Sequence, residues 1–271
     1  MIARSREPGR TTRLARAAAL RDSSAIDPKL QRLLPTVPPE LVVHEGDEPC
    51  PYLEGRIARR PLRMPTRRLT PAEFDVRLEA GDRRTGFFLY TQECPGCRAC
   101  EPLRVDATAF VPSRSHRRTI ARAERELRIE RGPLTTDARR VELYRAHQAG
   151  RGLARPTSTP LDEHGYEAFL VDTCVDGFEL RYHRGDSLVG VAITDRSARA
   201  LSAVYTYYDP SLSRLSIGTY SILAQLALAK SMGLAWLYLG LAIEESPHMR
   251  YKLRFLPHER RIDGAWRRFG R

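Results

Sequence analysis

Runs of apolar and aromatic residues separated by turn signals dominate the second half of the chain. They predict strands at residues 178–183, 187–194 and 198–208. The turn between the first two strands falls at Arg184-Gly185-Asp186, and Asp209-Pro210 ends the third strand. The pattern therefore indicates an antiparallel meander.

Helical patterns with recognisable ends surround the meander. Residues 216–232 predict a helix with Ser216 as its cap and Gly233 as its stop, followed by a buried strand at residues 234–243. Ser246-Pro247 predicts the start of a last helix. Further helices are predicted at residues 115–127 and 136–149 and from Thr70-Pro71 and Thr159-Pro160, and further strands at residues 86–90 and 103–110. This order of elements is typical of an α+β fold with a sheet that helices can cover on both faces.

Composition divides the chain into three parts. Residues 1–24 carry six arginines among Ala, Thr and Ser, which indicates a disordered basic tail, with an organelle transit peptide as the alternative. Four prolines between residues 35 and 49 mark a linker. A smaller cysteine-containing α+β module is expected over residues 25–131, and a second, larger module over residues 132–271.

The charge balance adds a candidate partner. The 271 residues carry 45 Lys and Arg against 33 Asp and Glu, a net charge of +12. Such an excess favours an anionic partner such as a nucleic acid. Because only three of the basic residues are lysines, compositional bias remains an alternative explanation of the charge.

The sequence lacks signals for membranes and for secretion. The longest apolar stretch, residues 217–243, contains Gln225 and Lys230 and is interrupted by Gly233, so it does not predict a membrane span. There is no signal-peptide pattern, and five cysteines with three crowded together do not indicate a secreted disulfide scaffold. We expect a cytoplasmic protein without a membrane partner, and the oligomeric state stays open.

The crowded cysteines are a candidate metal site. Cys94, Cys97 and Cys100 stand two residues apart, and Cys50 lies upstream. This spacing lets thiolates converge on one ion from a tight loop, so a structural zinc ion or an iron–sulfur cluster is one interpretation. Three loop thiols that bind nothing are the other.

A cluster of arginines opens the helix predicted at residues 115–127. Arg114, Arg117 and Arg118 could grip phosphates or a carboxylate at a helix start. The alternative is a solvated basic face.

A loop-to-helix segment in the second module carries further candidate chemistry. Asp209 stands at a strand end, where a general base could lie, and small residues open the helix that begins at Ser216. Backbone amides at such a helix start receive anions or developing oxyanions. His248 and Lys252 fall four residues apart, on one face of the last helix.

Several of these motifs together resemble a known family. They include the segment from Cys50 to Arg56, the cysteine cluster that leads into residues 102–105, and residues 201–206. Residues 208–210, 218–220, 238–240 and 249–252 extend the resemblance, which runs from about Cys50 to Trp266. The sequence is similar to the arginyl-tRNA–protein transferase family, and most similar to its bacterial branch, the aspartate/glutamate leucyltransferases.

The resemblance implies a fold and an activity. The second module would have an acetyltransferase-like (GNAT-like) mixed sheet flanked by helices. The protein would move an amino acid, with leucine favoured, from an aminoacyl-tRNA to proteins that begin with Asp or Glu, and so create a degradation signal. The transfer would require no cofactor.

The resemblance also implies roles for individual residues. Asp209 would accept the amine proton or orient the amine, directly or through water, and the backbone amides of Ile217 and Gly218 would stabilise the oxyanion. Arg214 and Lys252 would hold the tRNA terminus or the acceptor carboxylate. The candidate substrate-binding residues are Arg114, Arg117, Arg118, Tyr205, Arg214, Ser216, Tyr220, His248, Tyr251 and Lys252.

Three alternatives remain at this point. Arginine could be the donated amino acid. A coenzyme A-dependent acetyltransferase would share the fold, but Ile217 and Thr219 occupy positions where its pyrophosphate-binding loop has glycine and a small residue. A non-catalytic, metal-bound nucleic-acid-binding module would leave the second half of the chain unexplained.

Overall fold

The structure is a computed structural model that describes residues 32–153 and 160–270. The basic tail expected over residues 1–24 and the helix start expected at Thr159 lie outside these ranges. Within them, no helix is both long enough and apolar enough to cross a membrane.

Short strands and helices alternate along the described residues. The strands are β1 Leu33–Leu34, β2 Glu40–His44, β3 Asp47–Pro49, β4 Ile57–Arg59, β5 Leu62–Pro65, β6 Arg83–Thr85, β7 Phe88–Tyr90, β8 Glu101–Asp106, β9 Arg128–Gly132, β10 Asp176–Arg184, β11 Ser187–Arg196, β12 Ala200–Tyr208, β13 Trp236–Ala242, β14 His258–Ile262 and β15 Ala265–Phe269. The α-helices are α1 Pro71–Glu79, α2 Arg114–Glu124, α3 Ala138–Gly150, α4 Glu163–Tyr166, α5 Ile217–Ser231 and α6 Pro247–Arg250. A π-helical turn covers Glu167–Val171, and 3-10 turns cover Pro210–Leu215 and Tyr251–Arg254.

The predicted α+β class with a mixed sheet flanked by helices is confirmed. Eight strands pair in the order β15-β14-β8-β13-β12-β11-β10-β9, and every neighbouring pair is antiparallel except β12 with β13. The predicted meander is present as β10, β11 and β12. The boundary expected after residue 131 stays a prediction. The strand β8, which precedes it, pairs with β13 and β14, which follow it.

Helices cover both faces of the large sheet. On one face Ala192 packs in a cluster with Ile217 and Tyr220, at the start of α5. On the other face the neighbouring Val191 packs with Val141 of α3. Because successive side chains of a strand point to opposite faces, α5 and α3 lie on opposite sides of β11.

The parallel strands β12 and β13 stay together over a short distance only. Residues Ala200, Leu201 and Ser202 pair with Trp236, Leu237 and Tyr238, and the two strands have no pairing beyond them. The helix α5 connects them, and its contacts with both strands hold it over the gap. The divergence leaves an opening in the sheet next to the first turn of α5.

A hairpin at the end of the chain was not predicted. The predicted last helix is short, with α6 followed by a single 3-10 turn, and β14 and β15 then pair antiparallel. Asp263 and Gly264 connect them with φ values of 50° and 82°. Two successive positive φ angles are typical of the tight turn that Asp-Gly favours, so the dipeptide is the signal that would have found the hairpin.

A buried ion pair joins the second sheet, ordered β1-β2-β5-β7-β6, to the large sheet. Arg84 in the middle of β6 donates from Nε and Nη2 to the carboxylate of Asp195 in β11, at 2.7 and 2.9 Å. Both side chains are 1% exposed. The guanidinium also donates to the carbonyl oxygen of Gly86 at 3.0 Å. Arg84 thus fixes the position of β6 against β11.

We expect Arg84→Met to destabilise the fold by about 3–5 kcal/mol, because it leaves the Asp195 carboxylate buried without its counter-ion. Urea unfolding measures this loss. The control is Arg267→Met, which removes one partner of an exposed pair with Asp263 and should change stability by less than about 1 kcal/mol. Equal losses in the two variants would contradict the role of the buried pair.

Candidate active site

An open cleft lies where β12 and β13 diverge. It encloses ≈ 2050 Å³, open solvent at its mouth included. Strand β12, the start of α5, the end of α3 and the α6 turn form its walls. The residues that line the cleft include Tyr52, Arg83, Gln148, Tyr205, Tyr208, Ser216, Gly218, Thr219, His248, Tyr251 and Lys252.

The first turn of α5 presents backbone amides to the cleft. Ser216 precedes the helix in a left-handed conformation, with φ 53° and ψ 44°, and its side chain does not cap the helix. The amide of Tyr220 donates to the Ser216 carbonyl at 2.9 Å. The three preceding amides, of Ile217, Gly218 and Thr219, donate to no acceptor among the described residues. These N–H groups and the helix dipole make the turn a receptor for negative charge.

A tyrosine and an amide side chain build the wall formed by β12 and α3. The Tyr205 hydroxyl accepts a hydrogen bond from Gln148 Nε2 at 2.5 Å. Burial raises the pKa of Tyr205, so this hydroxyl stays protonated at neutral pH. His147 Nδ1 lies 3.1 Å from the carbonyl oxygen of Tyr208, which ties the end of α3 to β12.

Two cations line the opposite part of the cleft. Lys252 Nζ donates to the Leu241 carbonyl oxygen at 2.9 Å and lies 3.6 Å from Met249 Sδ. Burial, and secondly the neighbouring Arg83, lower the pKa of Lys252 to about 7. Neither cation has a carboxylate partner among the described residues. The cleft is therefore electropositive.

The structure brings some of the sequence-predicted residues together and separates others. The cleft is lined by Tyr205, Ser216, Gly218, His248, Tyr251 and Lys252. Ile217 belongs to the same turn but is fully buried and does not line the cleft, so the role of its amide stays a prediction. Tyr220 is also buried, where its ring meets Tyr182 at 6.0 Å between centroids. Asp209, Arg214 and the three arginines of α2 do not line the cleft.

Asp209 and Arg214 have other contacts. The Asp209 carboxylate accepts from the Ser211 amide at 2.9 Å and thereby caps the 3-10 turn after β12. The Arg214 guanidinium makes two hydrogen bonds with Glu126, at 2.5 and 2.6 Å. The catalytic role of Asp209 and the binding role of Arg214 stay predictions.

The arginines of α2 form an exposed basic surface. Arg114, Arg117 and Arg118 are exposed, and none of them pairs with a carboxylate in the described part of the chain. At the other end of α2, Arg122 donates to the Arg214 carbonyl at 2.7 Å, just before the first turn of α5. The C-terminal end of α2 therefore lies beside the segment that precedes α5.

The cysteines lie at a second pocket of ≈ 1270 Å³, lined by Cys94, Cys97 and Cys100. Burial and the neighbouring Cys94, Cys50 and Cys97 raise the pKa of Cys100 to about 12. Among the described residues, however, no three Cys, His, Asp or Glu side chains are arranged to hold a metal ion. The residues do not fit a metal in this arrangement, and zinc or an iron–sulfur cluster stays a prediction.

Sequence reasoning missed Arg83, Gln148 and Tyr52 as cleft residues. Arg83 stands next to Arg84 in an arginine-rich segment, and nothing local distinguishes one from the other. Gln148 lies in α3, where only helical periodicity is visible. Tyr52 could have been proposed as a site residue, because it lies in the segment from Cys50 to Arg56 that carries the family resemblance.

The burial of the Lys252 ammonium should lower the free energy of unfolding, and this effect should be largest at low pH. Its pKa is 10.5 when unperturbed and about 7 in the structure. Below pH 7 the ammonium is charged in both the folded and the unfolded protein, so its burial lowers the free energy of unfolding by the full amount. Between pH 7 and 10.5 the folded protein has already released the proton, and the loss of stability becomes smaller as the pH rises. We expect Lys252→Met to raise the urea midpoint, most below pH 7 and progressively less towards pH 10.

The control for this comparison is Lys230→Met. Lys230 is exposed on α5, so its replacement should leave the pH dependence of the urea midpoint unchanged. A Lys252→Met variant that is less stable than the parent at pH 6 would contradict the expectation.

Family models agree with the resemblance seen in the sequence. The family model described as the N terminus of arginine-tRNA-protein transferase matches residues 48–118, and the one described as its C terminus matches residues 139–262. L-PGS from Bacillus licheniformis, a solved structure, aligns with a TM-score of 0.41 and 13% identity over 63% of this chain and 50% of that chain.

Curated relatives match over most of their length. A protein of Thiobacillus denitrificans is 39% identical over 80% of this chain and 90% of its own length. A protein of Halorhodospira halophila is 39% identical over 80% of this chain and 92% of its own length. A protein of Vibrio cholerae is 33% identical over 82% of this chain and 94% of its own length. All three are named aspartate/glutamate leucyltransferase. The chain therefore belongs to the arginine-tRNA-protein transferase family, in its aspartate/glutamate leucyltransferase branch.

Proposed function

We propose that the chain transfers leucine from leucyl-tRNA to the α-amino group of proteins that begin with Asp or Glu. The observation that carries this proposal is the cleft, where helix amides lie on one side and Arg83 and Lys252 on another, all without a partner among the described residues. The names of the relatives support the donor and the acceptor. The added leucine would mark the acceptor for degradation, and the need for charged tRNA would place the reaction in the cytoplasm.

The reaction exchanges an ester for an amide. The acceptor nitrogen attacks the carbonyl carbon of the leucyl ester, and a C–N bond forms. The C–O bond to the terminal ribose then breaks, and the ribose hydroxyl leaves with a proton that comes from the amine. Because the ester is already activated, the protein mainly positions the two reactants and stabilises the oxyanion. No covalent enzyme intermediate and no cofactor are required.

The first turn of α5 would stabilise the oxyanion. The amides of Ile217 and Gly218 are fixed in place by the helix, so they need no reorganisation when the charge develops. The Tyr205 hydroxyl, held by Gln148, is a further donor in the same cleft.

The acceptor amine must be neutral to attack. An α-amino group has a pKa near 8 in water, and nearby positive charge lowers it further. Asp209, at the end of β12, remains the predicted proton acceptor, acting directly or through water.

The basic surface of α2 would bind the tRNA. Its arginines are exposed and unpaired, as contacts to phosphates require, and the helix leads to the cleft through Arg122. This arrangement would bring the acceptor end of the tRNA to the first turn of α5.

The direct test offers the purified protein leucyl-tRNA, arginyl-tRNA or acetyl-CoA with peptides that begin with Asp, Glu, Arg or Lys. We expect labelled leucine on the Asp and Glu peptides alone. Transfer of arginine in place of leucine would show that the donor is arginyl-tRNA and would contradict the proposed donor. Acetylation by acetyl-CoA, or no transfer at all, would contradict it.

Gly218→Pro should slow transfer by about 100-fold, because it removes one amide donor from the oxyanion site. Proline is tolerated in the first turn of a helix, so α5 should still form. The measurement is single-turnover transfer from leucyl-tRNA, with thermal melting to verify folding.

The matched control is Gly218→Ala, which keeps the amide. A Cβ at this position would lie 3.6 Å from Tyr208 Cε1, an ordinary contact, so this variant should retain most of the activity. Equal losses in the alanine and proline variants would contradict the role of the amide.

Binding of tRNA should weaken steeply with salt, and α2 should supply part of that dependence. Each phosphate contact adds about 0.9 to the slope of log K against log salt. Replacing Arg114, Arg117 and Arg118 by Ala should therefore reduce the slope by about 2–3, as measured by filter binding.

A control with the same change in net charge replaces Arg67, Arg139 and Arg199, which are exposed but paired with Glu73, Glu142 and Asp75. Its slope should change by less than about 1. A slope that responds equally to both triple substitutions would show that the net charge matters and the α2 surface does not.

A further inference from the structure

Among the described residues, the four buried arginines are paired with carboxylates, whereas the half-buried Arg83 at the cleft is not. The buried arginines each meet a carboxylate: Arg77 meets Glu40, Arg84 meets Asp195, Arg104 meets Glu79 and Glu259, and Arg140 meets Glu179 and Asp137. Arg83, which is adjacent to one of these residues, has no such partner among the described residues. Its neighbours are the phenols of Tyr52 and Tyr90 and the thiol of Cys100, and its Nε is buried without an acceptor.

A second unpaired cation lies beside the first. The Lys252 ammonium is held by the Leu241 carbonyl and by Met249, and Arg83 is the charged group that acts on it. Leaving two like charges partly buried and close together costs free energy, because neither charge gains a counter-ion. A binding site that lacks its ligand has this property.

The backbone of β13 is shaped to admit both cations. Gly240 has φ +74°, and a Cβ at this position would overlap the Arg83 guanidinium. The next residue, Leu241, supplies the carbonyl that holds Lys252. Pairing of β13 with β8 shifts register between Tyr238 and Gly240, so a bulge lies at the point where the two side chains meet the strand.

We infer that Arg83 and Lys252 together bind the side-chain carboxylate of the acceptor's N-terminal Asp or Glu, an assignment that rests on the proposed function. The planar fork of an arginine and the point charge of a lysine complement the two oxygens of one carboxylate. Arg83 would thereby complete the pairing that the other buried arginines already have.

A carboxylate fits this position better than a phosphate of the tRNA does. The site lies inside the cleft, and a separate exposed set of arginines on α2 is available to phosphates. An acceptor that begins with Asn or Gln has nearly the same shape but no charge, so it would leave both cations unpaired. The pair would thus determine specificity for acidic N-termini.

The test compares kcat/KM for matched peptides that begin with Asp and with Asn, in the parent protein and in Arg83→Met and Lys252→Met. We expect each variant to lose about 10- to 100-fold in kcat/KM on the Asp peptide, with little change on the Asn peptide and an unchanged Kd for leucyl-tRNA. Arg83→Lys, which keeps the charge, should recover part of the preference for Asp. Thermal melting verifies that every variant is folded.

Arg261→Met is the matched control. Arg261 is partly buried and has no ion pair among the described residues, but it does not line the cleft that contains both Arg83 and Lys252, so the preference for Asp over Asn should not change. Calorimetric binding of the two peptides to the parent and to Arg83→Met gives a readout that needs no transfer. Failure of the parent to transfer leucine would contradict the proposed function alone, while a binding preference for Asp that Arg83→Met abolishes would still support the inference.

Equal loss on the Asp and Asn peptides, or an unchanged preference for Asp, would overturn the inference. Weakened leucyl-tRNA binding with an unchanged Asp preference would also overturn it, and would assign the pair to a phosphate.

Discussion

The buried ion pair between Arg84 and Asp195 is the interaction on which the architecture of the cleft depends. It joins strands that lie 111 residues apart in the chain and belong to different sheets. Because neighbouring residues of a strand point to opposite faces, fixing Arg84 against β11 directs Arg83 to the other side of β6, where it meets Gly240 and the cleft. An interaction that stabilises the contact between the sheets thus positions a cation of the candidate site.

The candidate site combines two ways of holding negative charge. The first turn of α5 offers backbone amides, which the helix fixes in place and leaves without an intrahelical acceptor. Arg83 offers a full charge, and Lys252, with a pKa of about 7, offers a charge that a bound carboxylate would stabilise; the burial of either charge costs free energy without a partner. The amides suit charge that exists only during the reaction, and the cations suit charge that the acceptor carries throughout.

Local signals in the sequence predicted most elements of the fold. Thr70 caps α1 with a reciprocal bond to Glu73, and Gly233 ends α5 with φ +69°, as their residue types indicate. Gly218 and Lys252, which local pattern singled out, line the cleft, while the roles predicted for them and for Ile217 stay predictions. Arg83 could not be predicted, because its role depends on its lacking a carboxylate that only the tertiary structure could supply. The pairing of Arg214 could not be predicted either, because its guanidinium forms an ion pair with Glu126, which lies 88 residues away in the chain.

A crystal structure with a bound bisubstrate analogue, in which a leucyl group joins an adenosine to a peptide that begins with Asp, tests the central claim most directly. The account places the leucyl carbonyl at the amides of Ile217 and Gly218, and the Asp carboxylate within hydrogen-bond distance of Arg83 and Lys252. An analogue bound outside this cleft, or bound with its carboxylate directed away from both cations, would contradict it.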